Sequence, residues 1–255
     1  SNTVTVTTES LTYVSLAAGE NHNMQVKSNG TVWTWGYNGY GQLGDGTTIG
    51  KTVSRQVKAL QDIVAVAAGE GHSLGLKNDG TVWAWGANGN GRLGNGTTNN
   101  SNIPIQVKNL SDVIAIAAGG SHSLALKSDG TVWVWGANGN GQLGDGTTKD
   151  RNTPKRIEDL SDIIAIAAGG RHSLALKNDG TVWAWGTNGN GQLGDGTIIS
   201  RNMPVQVKDL SDVIAIAAGG YHSLAKKSDG TVWAWGANGN GQLGDGTKYI
   251  RNIPV

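Results

Sequence analysis

Short apolar runs, each broken by glycine or by an Asp-Gly or Asn-Gly pair, recur from end to end of the chain. In one stretch, Val113-Ile114-Ala115-Ile116-Ala117-Ala118 is β-branched and alanine-rich and stops at Gly119-Gly120, the pattern of a strand buried on both faces. Ser123-Leu124-Ala125-Leu126-Lys127 then runs into Ser128-Asp129-Gly130, and Asp-Gly between apolar segments predicts a tight hairpin. The third run, Thr131-Val132-Trp133-Val134-Trp135-Gly136, alternates. Its period of two sets both tryptophans on one face of a sheet and both valines on the other. A glycine- and asparagine-rich loop from Ala137 to about Asn152 leads to a fourth strand opening with Pro154. Proline cannot donate to a ladder, so this strand is predicted at an edge.

The same four-strand pattern returns every 50 residues. His22, His72, His122, His172 and His222 fall in register, and the pairs Trp33/Trp35, Trp83/Trp85, Trp133/Trp135, Trp183/Trp185 and Trp233/Trp235 account for all ten tryptophans. Residues 111–150 and 211–250 differ at six of forty positions. A four-stranded meander repeated radially is a propeller blade. The sequence therefore predicts an all-β fold, a β-propeller of five four-stranded antiparallel blades forming a single repeat domain, with copies at about 11–60, 61–110, 111–160, 161–210 and 211–255. The proline-bearing strand lies outermost and the alanine-rich strand nearest the axis. A β-solenoid is the alternative; a helical solenoid is excluded because no segment sustains a 3.6-residue period.

The ends add one fourth strand too many, since residues 3–8 and residues 253–255 both occupy its register. The expectation is that residues 3–8, within an N-terminal segment 1–10, supply the outer strand of the last blade and close the ring as a clasp, while Arg251–Val255 competes or lies loose.

Charge and composition narrow the function classes. Charged residues make up 15% of the chain and leave a formal net charge of +1 with no long run of one sign, which argues against nucleic acid or an anionic membrane surface as partner. There is no cysteine, so disulfides, thiolate metal sites and thiol nucleophiles are excluded. No stretch approaches the length of a spanning helix, so membrane insertion is not expected, and Ser1-Asn2-Thr3-Val4-Thr5 does not read as a signal peptide. Any candidate catalytic residue in one copy recurs in all five, whereas catalysis needs a single asymmetric constellation. The reading is of a non-enzyme without a cofactor.

The unit Ala-Ala-Gly-Gly-x-His-Ser-Leu-Ala-Leu-Lys-x-Asp-Gly-Thr-Val-Trp-Ala-Trp-Gly-x-Asn-x-x-Gly-Gln-Leu-Gly-Asp-Gly-Thr, as at residues 167–197, resembles the regulator of chromosome condensation repeat, and the likeness covers essentially the whole chain. It is most similar to the bacterial branch of that family, which includes relatives of β-lactamase inhibitory protein II. The resemblance implies a propeller without catalytic activity and an extracellular or cell-surface place in a bacterium. Family propellers typically have seven blades. Five copies would need about 72° per blade in a closed ring against about 51° for seven, so either the ring is retuned or the copies belong to a larger array.

Several residues invite sharper readings. The tryptophans could form a sugar-binding or light-sensing cluster, but a pair repeated in every copy fits core packing, and the family photoreceptor's Gly-Trp-Arg-His-Thr has only Gly170-Arg171-His172-Ser173 opposite it. Five histidines could ring a metal, but each is alone in its repeat, and structural hydrogen bonding is the better reading. Asn88-Gly89-Asn90 and its equivalents, with Asp145, Asp195 and Asp245, lack the acidic density of a calcium loop and read as turn formers. Nucleotide exchange on a small GTPase would need an inserted contact segment, for which the even spacing leaves no room. Lys226 stands where other copies carry Val26, Leu76, Leu126 and Leu176. Buried unpaired it would cost several kcal/mol, so an accessible flank, a compensating acid or a stem reaching solvent is expected there.

Variation between copies sorts by face. The turn between second and third strands and the link between units hardly change, whereas the turn after the first strand carries Asn21, Gly71, Ser121, Arg171 and Tyr221. The loop after the third strand varies likewise, with Tyr37 and Tyr40 in the first copy and Lys248-Tyr249-Ile250-Arg251 in the last. Tyrosine and arginine anchor protein interfaces. The candidate partner-binding residues are Tyr221, Tyr249, Arg251, Tyr37, Tyr40, Arg171 and Asn21, gathered where ring closure would bring copies five and one together. The function expected is protein–protein interaction or scaffolding through this face. Alternatives are structural assembly, with blade edges meeting between chains as a homo-oligomer or part of a larger ring, and a glycan-binding or β-lactamase-inhibitor-like module.

Overall fold

The computed structural model describes residues 4–6 and 14–255, and these form five antiparallel sheets. The first holds β1 (Val4–Val6), β2 (Val14–Ala18), β3 (His22–Val26), β4 (Val32–Gly36) and β5 (Lys51–Gln56). The second holds β6 (Ile63–Ala68), β7 (His72–Lys77), β8 (Val82–Gly86) and β9 (Ser101–Gln106). The third holds β10 (Val113–Ala118), β11 (His122–Lys127), β12 (Val132–Gly136) and β13 (Arg151–Arg156). The fourth holds β14 (Ile163–Ala168), β15 (His172–Lys177), β16 (Val182–Gly186) and β17 (Arg201–Gln206), and the fifth β18 (Val213–Ala218), β19 (His222–Lys227) and β20 (Val232–Gly236). Each is a meander in chain order, as the alternation of short apolar runs and turn residues requires, and the whole is a five-blade β-propeller.

The outer strand begins earlier than its proline suggests. In β13 the proline is the fourth residue, and the ladder to β12 slips between Val134↔Lys155 and Gly136↔Arg151. Pro154 sits inside that bulge, where the ladder asks no N–H of it.

The core lies between blades. One face of each sheet presents residues such as Leu124, Leu126, Val132, Val134 and Leu143, and the facing side of the next presents Ile163, Ala168, Ala175 and Trp185, forming one apolar cluster. Equivalent clusters join blades one and two, two and three, and four and five. No such cluster joins blade five to blade one among the described residues. The flank of blade five shows this directly, for Val232 is 64% exposed where Val182 is fully buried. Lys226 is exposed on the same flank, so of the readings set out for it the accessible flank is the one found.

The N-terminal strand also differs from the expected clasp. Val4–Val6 pair with the inner strand of the first blade, in the register Val4↔Leu16, Thr5↔Ser15, Val6↔Val14, while residues 3, 7 and 8 lie outside the described residues. The outer place on blade five is held by Arg251–Val255. Gly236 N–H donates to Arg251 O at 2.8 Å, Ala234 N–H to Val255 O at 2.9 Å, and Val255 N–H returns to Ala234 O at 3.0 Å. A local hairpin closes at less entropic cost than a clasp to the far end of the array, and the edge it would have used is taken.

Candidate functional site

The loops after the third strands share one frame. In the third blade Asn138 is fully buried. Its Oδ1 accepts from Leu143 N–H at 3.0 Å, and its amide donates to Asp145 Oδ1 and to Thr147 O, both at 3.1 Å. Asp145 accepts further from the Thr147 hydroxyl at 2.7 Å and pairs with Arg151. Burial alone would raise the Asp145 carboxyl, but the bonds from Thr147 and Arg151 outweigh it and hold the group below its ordinary value. The same staple recurs around Asn38, Asn188 and Asn238. These oxygens are therefore occupied by the chain's own donors. Neighbouring loops are also joined, because Asn152 Nδ2 donates to Gly96 O at 3.0 Å and Gly96 N–H to Asn152 O at 2.8 Å. A rigid rim results, and what varies along it is the side chains it displays.

Inside the rim, the glycines that end the inner strands surround an axial depression of about 390 Å³, with Glu20 and Glu70 at its edge. The histidines stand just behind these glycines. His22, His72, His122 and His172 are buried, and each Nε2 meets the serine of the next blade at 2.8–3.0 Å, from Ser73 to Ser223. Burial lowers the His22 pKa to about 4, and burial with its neighbours lowers those of His122 and His172 to about 3. They are neutral blade-to-blade ties, and among the described residues no group of three or more potential ligands could hold a metal ion.

The second tryptophan of blades two to five is fully buried, its indole N–H on a carbonyl of the preceding blade, as Trp185 Nε1 on Gln142 O at 2.9 Å. The first of each pair is partly exposed and lies beneath a lysine; Lys27 Nζ is 3.7 Å from the Trp33 ring centre, a cation–π contact.

The expected binding residues fall into two groups. Tyr37 and Tyr40 pack edge to face with ring centres 6.1 Å apart, both about half exposed. On blade five Tyr221 is half exposed and Tyr249 is 76% exposed. Among the described residues no apolar cluster joins blades five and one, so the ring seam across which the sequence gathers these two groups is not formed by such a cluster. Asn21 and Arg171 are exposed, and Arg251 is bound to Asp245 Oδ2 at 2.7 Å within its own loop.

Sequence reading missed Glu70 and Arg92. In the first blade Gln42 Oε1 caps Tyr40 N–H at 3.0 Å, and Gln142 does the same for Asn140 at 2.9 Å. An arginine cannot accept, and Arg92 instead donates from Nη2 to Asn90 Oδ1 at 3.0 Å. Asn90 donates to Asp150 Oδ2 at 2.7 Å. Burial lowers the Arg92 pKa, with Glu70, Tyr40 and Asp150 acting in the opposite sense. Glu70 leans over Gly120, where a Cβ would lie 2.6 Å from its Oε1, and the Tyr40 ring lies over Gly71, where a Cβ would lie 3.3 Å from Cδ2. Tyr37, Tyr40, Glu70, Arg92 and Asp150 thus make one aromatic and charged strip across blades one to three. The signal was present as departures from the repeat, Glu for Gly120 and Gly170, and Arg for Gln42 and Gln142.

Human WBSCR16 has a crystal structure similar to this protein at a TM-score of 0.84 with 26% identity, over 94% of this chain and 65% of that one. Yeast RCC1 (Prp20), from a structure in which Kap60 is bound, is similar at 0.82 with 27% identity, over 94% of this chain and 60% of that one. The chain spans less than two thirds of the length of either. A structure of Prp20p from Saccharomyces cerevisiae shares the fold, at 0.60 and 21% identity. The RCC1-like domain matches residues 2–255, and the chain belongs to that family.

Proposed function

We propose that this protein is a non-enzymatic interaction scaffold that binds a protein partner through the face carrying the loops after the first and third strands. The observation that carries this reading is the contrast within those loops: a hydrogen-bonded frame around Asn38, Asn138, Asn188 and Asn238 that repeats from blade to blade, displaying side chains that do not. A rigid frame lowers the ordering cost of binding, and half-exposed tyrosines beside a partly buried arginine are the side chains that dominate such interfaces. The strip from Tyr37 and Tyr40 to Arg92 is the stronger anchor, and Tyr221 with Tyr249 forms a second. The relative solved with Kap60 supports a binding role for the fold. The test compares proteins captured from culture by the wild type, by Tyr37→Ala/Tyr40→Ala and by Tyr221→Ala/Tyr249→Ala, all with unchanged melting. A specific band lost with either pair supports the reading; identical capture by all three removes it.

A further inference from the structure

The two flanks that join no blade-to-blade cluster among the described residues depart from the repeat at the positions that meet across a blade boundary. At three of the four boundaries a leucine near the end of the second strand shares an apolar cluster with an alanine of the next blade: Leu76 with Ala125, Leu126 with Ala175, and Leu176 with Ala225. Val26 and Gly75 hold that register at the remaining boundary. The fifth pair in this register is Lys226 and Gln25. At the histidine level the pairs run from His22 with Ser73 to His172 with Ser223, and the fifth is His222 with Asn23. At the indole level Trp85 donates to Gln42 O at 2.8 Å and Trp235 to Gln192 O at 2.9 Å, and the fifth pair is Trp35 with Gln242.

We propose that the free flank of blade five docks on the free flank of blade one in a second copy of this chain, with Lys226 against Gln25, His222 against Asn23 and the Trp35 N–H on the Gln242 carbonyl. Either polar change alone would set a polar side chain against an apolar partner, whereas together they satisfy each other. Lys226 is the last residue but one of β19 and is exposed, so its stem can lie along the flank with the ammonium toward solvent beside the β19–β20 turn. Val232 and Leu16, 64% and 47% exposed where their counterparts Val182 and Val66 are fully buried, supply the apolar contact. A contact between two different surfaces runs head to tail and builds a ring or an open array of copies. It uses neither tyrosine group, so it stands apart from the loop-face reading.

The absence of cysteine makes the contact easy to trap. Lys226→Cys, at an exposed position, and Gln25→Cys, at a partly exposed one, are placed in separate proteins and mixed under mild oxidation. The expected result is a mixed disulfide dimer in excess of what either variant forms alone. Light scattering on the wild type is expected to show mass rising above 26.4 kDa with concentration, and Val232→Asp, at a site exposed in the single chain, is expected to abolish that rise while keeping the melting temperature. A mass fixed at one chain at every concentration overturns the proposal and makes each flank a solvated cap. If the double variant forms its disulfide within one chain and the mixture forms none, the occupant is the chain's own first blade, and the proposal is likewise overturned.

Discussion

His122 Nε2 lies 2.9 Å from Ser173 Oγ across the boundary between blades three and four, and Ser173 Oγ lies 2.9 Å from Gln142 O. The serine has one proton and the carbonyl can only accept, so Ser173 donates to Gln142 and accepts from His122. That assigns the imidazole proton to Nε2 and leaves Nδ1 a bare acceptor, buried and without a partner. The serine thus fixes a neutral tautomer in four blades at once.

Stability should therefore fall in mild acid. These histidines titrate near 6.5 when unfolded and near 3 to 4 when folded at His22, His122 and His172, so below about pH 6.5 the unfolded chain binds more protons than the native one. Stability is full above that pH and is lost as pH drops toward 4. Each unit of depression is worth about 1.4 kcal/mol per group. Urea midpoints from pH 8 to pH 4 check this, and a flat profile would contradict it.

Removing the acceptor should cost stability only where a boundary exists. Ser173→Ala strands the His122 N–H and is expected to destabilise by about 1–3 kcal/mol. His222→Ala, on a half-open flank with no serine beyond it, should change stability by no more than about 0.5 kcal/mol. Chemical denaturation of the two variants, with unchanged m-values, makes the comparison.

Gly119→Ala tests the crowding at the axis. The added methyl would press into His122 Cε1 and lie 2.6 Å from Gly169 O, neither of which can move without shifting a blade. A loss of about 1–3 kcal/mol is expected from overpacking, whereas Gly139→Ala, with open space around it, should be tolerated. Melting temperatures decide.

The flanks can be compared by exchanging their residues. Leu126 is fully buried between blades three and four, and Leu126→Lys should cost several kcal/mol or prevent folding. At low concentration Lys226→Leu should be close to neutral. Equal effects would mean that blade five is covered within the single chain.

Much of this molecule is legible in its residues because the signals are local. Alternation and Asp-Gly turns fix strands and hairpins, and Val132 and Val134 opposite Trp133 and Trp135 fix which face each side chain takes; the bulge that holds Pro154 inside its strand is not legible there. The likeness at residues 167–197 reaches the family. The exposed tyrosines and the odd position of Lys226 could be marked because repetition supplies its own reference. Glu70 and Arg92 depart from the repeat as visibly, but they lie on different strand ends, and nothing linear says that they approach one another.

What the amino-acid order determined alone is the blade, since its pattern is written within fifty residues by periods of two and by turn chemistry. Tertiary structure decided how blades add up: whether the fifth meets the first, which free edge takes Val4–Val6, and which loops lie side by side. Those outcomes depend on the small rotation between packed sheets, summed over four boundaries, and on competition between edges of nearly equal hydrogen-bonding capacity. Lys226 marks the flank that results, but neither quantity can be read from a single residue.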